Sequence, residues 1–275
     1  MYAEERRRQI ASMTAVEERV NVTELAYHFA VTAETIRRDL AVLDREGLVN
    51  RVHGGAVAAQ TFQTTELSLD ARLRSAPGAK SAIARAAADF LPSRGGSVFL
   101  DAGTTTNALA DLIAQRREPD DLSIVSNSLP ICLALARHDV KNVQLLGGRV
   151  RAITQAVVGS TALRTLALMR ADVAFVGTNA LTIDHGLSTA DAKEAAIKST
   201  FITNSNKVVV LCDSSKLGND YLVSFGSISD IDVVVTDADA PAHYLNQLRE
   251  RDVTVVVAQP DDPRRSLSSR RLSSR

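Results

Sequence analysis

Apolar residues recur at helical spacing over the first fifty positions and then change to short continuous runs further along the chain. Ile10 and Met13 stand three apart within 4–13, with Arg6, Arg7 and Arg8 on the polar side; Leu25, Ala26 and Phe29 follow Thr23; Ile36, Leu40 and Leu43 follow Thr32. The pattern predicts three helices. The first spans 4–13, the second starts at Thr23 as N-cap, and the third runs from Thr32 as N-cap to Glu46, with Gly47 placed to end it. Residues 48–57 then alternate apolar positions with Asn50, Arg51 and His53 and turn at Gly54-Gly55, which predicts a short β-hairpin. A polar stretch, 58–79, broken by Pro77-Gly78, reads as a connection. From Lys80 onward, runs at 97–100, 123–125, 143–146, 173–176, 208–211, 233–235 and 253–257 alternate with helical stretches, the texture of βα units around a mostly parallel, Rossmann-like sheet. The expected organisation is α/β with a small helical domain in front: residues 1–57, a linker at 58–79, an α/β domain at 80–258, and an Arg- and Ser-rich tail at 259–275 expected to be disordered.

Two helices joined by a few residues, the second entered through a Thr cap and followed by a hairpin, have the dimensions of a winged helix-turn-helix. At about 100° per residue, Ile36, Leu40 and Leu43 share one side of the third helix, while Glu34, Arg38, Ala41 and Arg45 lie opposite, flanked by Thr35 and Arg37. Such an outer strip of hydroxyl and guanidinium groups has the chemistry that base edges and phosphates in a major groove require. The expected contacts to double-stranded DNA are Thr32, Glu34, Thr35, Arg37 and Arg38 from the helix and Arg51 and His53 from the wing. Glu34 has two open roles, accepting from a cytosine amino group or orienting Arg38 as an i, i+4 pair.

The α/β half carries its chemistry where the strands end. Asp101-Ala-Gly103-Thr104-Thr105-Thr106 joins a strand to a helix, and Asn127, Gly148, Thr178 and the pair Asp213 and Lys216 follow other strands. Ligands of open α/β sheets bind beyond the carboxyl ends of the strands, so these groups are expected to converge. The threonine loop, with Gly103 allowing close approach and free N–H groups at the helix start, suits a phosphate. It matches neither a Walker A loop nor GxGxxG, so neither ATP hydrolysis nor dinucleotide binding is indicated. Glu194 and Lys198, four apart on a predicted helix, add a cation for the phosphate and a carboxylate for sugar hydroxyls, as do Lys216, Asp101 and Asp213.

Composition narrows the picture without deciding it. The 275 residues are 45% hydrophobic and 23% charged, with 32 basic and 32 acidic side chains, so overall charge does not announce a nucleic-acid partner. Residues 1–57 hold eight arginines against nine Asp and Glu, which puts the whole weight of a DNA argument on where the arginines point. No apolar run is long enough for a membrane span and the start, MYAEERRRQI, is too charged for a signal peptide, so a cytoplasmic protein is expected. Cys132 and Cys212 lie singly in apolar segments and are expected as buried thiols; no metal site or cofactor is expected.

The ordered segments TAETIRRDL and RVHGGAV, followed by LDAGTTT, VSNSLPI, LLGG, EAAIK and CDSSKLG, resemble the DeoR type of bacterial transcription regulators across most of the chain. That resemblance implies a sensor fold related to sugar-phosphate isomerases, a sugar-phosphate effector, repression relieved by that effector, and a homo-oligomer, dimer or tetramer. Within the type, the chain looks most similar to actinobacterial repressors of sugar-uptake and phosphotransferase genes. A lactose-phosphotransferase-type repressor sensing galactose 6-phosphate or tagatose 6-phosphate stays open beside it. The enzyme alternative is a sugar-phosphate isomerase using Glu194 or Asp213 as base, against which the helix-turn-helix argues.

Overall fold

The structure is a computed structural model that describes residues 3–17, 19–46, 48–52, 54–58, 66–92, 95–116 and 121–260. Gly47, His53, residues 59–65 of the expected linker and residues 261–275 of the tail lie outside the described residues. The chain divides into two compact units, Met1–Gln63 with Gly218–Asp220, and Thr64–Leu217 with Tyr221–Arg275.

The first unit packs helices Ala3–Glu17, Val22–His28 and Ala33–Arg45 with an antiparallel sheet in which Gly55–Ala58 lies between Arg19–Asn21 and Val49–Val52. Its core is the predicted apolar stripe, Ile10, Leu25, Ile36, Leu40 and Leu43, closed by Val49 from the hairpin. The hairpin needs its glycines: Gly54 has φ +85°, and a Cβ at Gly55 would lie 2.0 Å from the carbonyl oxygen of Val20. Thr32 caps the third helix as expected, accepting from the Thr35 amide at 3.2 Å. The second helix begins earlier than predicted, because Asn21 rather than Thr23 is the cap; its Oδ1 accepts from the Thr23 amide at 2.8 Å.

Arg6 also departs from expectation. It is buried instead of solvated, and its Nε donates to Asp39 Oδ2 at 2.6 Å, while Arg7 Nη1 stands 3.7 Å from Asp39 Oδ1. Asp39 lies on the inner side of the third helix among Ile36, Leu40 and Leu43, where a carboxylate is tolerated only if it is paired. The pairing docks the third helix onto the first.

In the second unit seven parallel strands form one sheet in the order Thr254–Ala258, Val233–Asp237, Ser205–Leu211, Ala171–Gly177, Ser97–Leu100, Ser123–Ser126, Val143–Leu145. All seven predicted runs are strands. Side chains alternate between two cores, with Val98, Leu100, Val173, Phe175, Val209 and Leu211 on one face and Phe99, Ala174, Val176, Val208 and Val210 on the other. This is a Rossmann-like α/β unit with helices flanking the sheet. Part of the stretch read as a connection is helical here: Leu69–Arg74 follows the cap Ser68, and Pro77 opens Pro77–Ala87, where its missing N–H costs nothing. Among the described residues, no helix is long and apolar enough to cross a membrane. Cys132 and Cys212 are both buried and free, and burial pushes the Cys132 thiol up to about 11.

Asp39→Ala leaves the buried Arg6 without its carboxylate. Removal of one partner of a buried pair costs about 3 kcal/mol, so the first unit should unfold at clearly lower denaturant, read by circular dichroism of the full chain. An unchanged transition would mean that the pair is not what anchors the third helix.

Candidate functional site

Numbered along the chain, the seven strands run 3-2-1-4-5-6-7 across the sheet, so the winding direction reverses between Ser97–Leu100 and its neighbour Ala171–Gly177. A crevice opens at such a reversal, because the connections leaving the two adjacent strands depart to opposite sides. The residues leaving these strands are Asp101 to Thr106 and Gly177 to Asn179.

Asp101 is fully buried. Its carboxylate accepts from the Lys198 ammonium, from the Gly177 amide at 2.9 Å and from the Thr106 hydroxyl at 2.9 Å. Lys198 also donates to the Gly177 carbonyl at 2.8 Å. A Cβ on Gly103 would come within 2.7 Å of Thr106 Oγ1 and 2.9 Å of Asp101 Oδ1, both engaged in this network, so glycine is required there. Gly103 is the N-cap of Thr104–Ala114 and has no side chain to occupy the first-turn N–H groups, which stay available to a ligand.

A cleft with a cavity volume of about 60 Å³ lies beyond these strand ends, bordered by Gly103, Thr104, Thr105, Thr178, Lys198, Asp213 and Lys216. The structure therefore brings together seven of the residues expected to bind an effector, with Asp101 and Thr106 directly beneath as supports. Lys216 makes no ion pair with any described residue. Asp213 accepts through Oδ1 from the amide of Ser215 at 3.2 Å and from its hydroxyl.

Asn127, Gly148 and Glu194 are not brought to this cleft. Asn127 is buried and donates to the Val157 carbonyl at 3.2 Å. Gly148 borders a separate surface depression with Ser160 and Lys193. Glu194 and Lys198 do not form the predicted i, i+4 pair. Both are buried on Ala192–Thr203, and each takes a partner from another element, Glu194 from Arg151 and Thr154, Lys198 from Asp101.

In the first unit, Glu34, Arg37 and Arg38 are exposed on the third helix, with Thr32 and Thr35 at its start. Glu34 stands 3.5 Å from Arg37 and 3.7 Å from Arg38. Arg38 is 81% and Glu34 61% exposed, so these pairs are worth at most a few tenths of a kcal/mol and yield readily to a phosphate or a base edge. The Arg51 amide donates to Asp44 Oδ1 at 2.9 Å, which fixes the hairpin against the end of the third helix and leaves the Arg51 side chain outside.

Residues 6–62 match the DeoR-like helix-turn-helix domain and residues 75–238 match the DeoR C terminal sensor domain. The chain belongs to the DeoR family. It is 36% identical over 258 residues to the HTH-type transcriptional regulator GlpR of Haloferax volcanii, covering 93% of this chain and 98% of that one. It is 32% identical over 234 residues to the glycerol-3-phosphate regulon repressor of Escherichia coli, covering 85% and 90%. Among solved structures it resembles ribose 5-phosphate isomerase A from Methanocaldococcus jannaschii at 18% identity, over 50% of this chain and 53% of that one, with a TM-score of 0.38.

The cleft of this DeoR-family chain has further lining that the strand-end argument did not reach: Leu67, Arg72, Ser75 and Lys80, from the segment in front of the sheet, and Tyr221; Asn179, which follows Thr178 at a strand end, lines it as well. No local pattern marks Arg72 or Lys80, since both lie before the first strand and reach the cleft only through packing. Lys80 is buried and donates to the carbonyls of Arg72 and Ser75. Burial holds its pKa below the ordinary 10.5; Lys216 and Arg72 push the same way, and Asp213 opposes them. A bound anion favours the ammonium form, so above the depressed pKa binding takes up a proton and affinity falls as pH rises. Calorimetry with inorganic phosphate should show affinity declining across the alkaline range below 10.5, and Lys80→Met should flatten the decline. A flat wild-type profile would place Lys80 outside the anion's reach.

Proposed function

We propose that this chain is a sequence-specific DNA-binding transcriptional repressor of sugar-uptake and catabolism genes, and that a sugar phosphate bound at the strand ends relieves the repression. The observation that carries the reading is the chemistry at the switch point: an uncapped helix start behind three threonines, faced by Lys198, Lys216, Lys80 and Arg72. Cations in excess beside free N–H groups select an anion, and the neighbouring Asp213 and Asn179 offer partners for hydroxyls. The winged helix-turn-helix supplies the output. Two copies on a pseudo-palindromic operator, in a dimer or tetramer acting in the cytoplasm, give the recognition helices their spacing, and effector binding alters it.

An isomerase needs a carboxylate free to take a proton. Asp101 is spent on Lys198 and Glu194 on Arg151 and Thr154, so two of the three candidate carboxylates are not available as a base, which favours a sensor over an enzyme. The regulon is one of sugar-uptake or phosphotransferase genes, with a galactose 6-phosphate or tagatose 6-phosphate pathway the nearest variant. The relatives named for glycerol-3-phosphate regulons add glycerol 3-phosphate to the effectors worth testing.

A gel-shift titration on the chain's own upstream DNA at fixed salt, repeated with galactose 6-phosphate, tagatose 6-phosphate, fructose 1-phosphate and glycerol 3-phosphate, should give a specific shift that one ester releases. Specific binding untouched by every ester would remove the sensor half of the proposal. In the same assay Arg38→Ala should weaken operator binding about tenfold or more, the scale of one lost base contact, with ester binding unchanged. Thr105→Val should bind DNA normally and ignore the ester. Thr105→Val repressors that still release DNA would mean that the effector binds elsewhere.

A further inference from the structure

The segment between the two family matches, residues 63–74, belongs to neither the helix-turn-helix nor the sensor match, yet Leu67 and Arg72 from it border the cleft. Arg72 Nη2 donates to the carbonyl of Ala102, inside the threonine loop, at 3.3 Å, and Arg72 Nη1 stands 3.9 Å from Glu66. Its side chain is 16% exposed and borders the cleft, and a guanidinium has more donors than that single bond uses. Glu66 in turn is gripped by Arg151 at 2.7 Å. The same Arg151 guanidinium serves Glu194 and, at 3.3 Å, Asp191. Burial works against the Arg151 charge, but the hydrogen bonds with Glu66 and Glu194 outweigh it and hold its pKa above the ordinary arginine value. The carboxylates thus outnumber the cation at their centre, and Arg72, 3.9 Å from Glu66, is a further positive charge beside them.

We propose that Arg72 is an effector-phosphate ligand held in reserve by Glu66, and that its transfer from Glu66 to the phosphate is the step by which effector binding reaches the chain leading to the DNA-binding unit. The inference rests on the sugar-phosphate reading above. A doubly charged phosphate at the threonine helix start lies within reach of a guanidinium already bonded to that loop. As Arg72 turns to it, Glu66 loses its second cation and is left with Asp191 and Glu194 around one guanidinium, where like charges repel. The second unit begins at Thr64, so Glu66 stands near its start, on the chain that leads to the first unit. By linkage, whatever Glu66 holds in the effector-free state must also oppose phosphate binding.

The test uses the full chain carrying Glu66→Gln, Arg72→Ala, or both, each checked for wild-type circular dichroism. Binding is measured by calorimetry with inorganic phosphate and with whichever ester releases the wild type, and operator affinity by gel shift with and without that ester. Arg72→Ala should weaken phosphate binding about tenfold or more. Glu66→Gln, nearly isosteric, should bind phosphate a few-fold more tightly than wild type, an effect that disappears in the Arg72→Ala background. Its operator affinity should respond to the ester less than the wild type's by about fivefold or more. A purely structural Glu66 would weaken ligand binding or leave it alone. If Glu66→Gln matches wild type in phosphate affinity and ester response, or if Arg72→Ala binds phosphate normally, the proposal is overturned while the sugar-phosphate reading stands. If the wild type binds no phosphate probe at all, that reading falls and the proposal falls with it.

Discussion

The carboxylate of Asp101 is the constraint around which the larger unit is organised. It stands at the end of Ser97–Leu100, where the sheet reverses its winding, and accepts from Lys198, Gly177 and Thr106. One side chain therefore ties together two central strands, the helix Thr104–Ala114 and the helix Ala192–Thr203. A buried ion pair is costly to desolvate and is tolerated when its remaining lone pairs and protons find partners. Here the amide, the hydroxyl and the Gly177 carbonyl supply them. The result is a rigid floor for the threonine loop, so that its N–H groups face the cleft before any ligand arrives and little ordering remains for binding to pay for.

Charge in this unit is sorted into two neighbouring clusters. The cleft side gathers lysines whose carboxylate partners are few or already engaged. The other side gathers Glu66, Asp191 and Glu194 on Arg151. Arg72 reaches both, bonded to the Ala102 carbonyl on one side and near Glu66 on the other. A guanidinium suits that position, because its fork can bind two oxygen groups in different directions and its charge does not vanish on burial.

The smaller unit uses the same device under a different surface. Asp39 turns inward from the third helix to Arg6, while Glu34, Arg37 and Arg38 turn outward on the same helix. The inward pair fixes the helix axis, and the outward charges are bound only loosely to one another, which is what lets them be exchanged for phosphates and bases.

The periodicity of the chain was enough to determine the three helices, the hairpin, all seven strands of the sheet and the position of chemistry at strand ends, because a helix face or a strand alternation is a repeat of local backbone dihedrals that the sequence carries along its length. The threonine loop was legible for the same reason, since a helix start is a local object. Which charges meet was not. Lys198 and Glu194 stand four apart and look like partners, yet Lys198 pairs with a carboxylate 97 positions away and Arg151 with one 85 positions away. Asn127 and Gly148 follow strands as Thr178 does, but Asn127 is bonded to the Val157 carbonyl and Gly148 borders a different depression. Arg72 and Lys80 precede the sheet entirely and reach the cleft through the way Leu69–Arg74 and Pro77–Ala87 pack. Those pairings depend on strand order and on which helix lands beside which strand end, quantities set by long-range packing, and no local repeat encodes them.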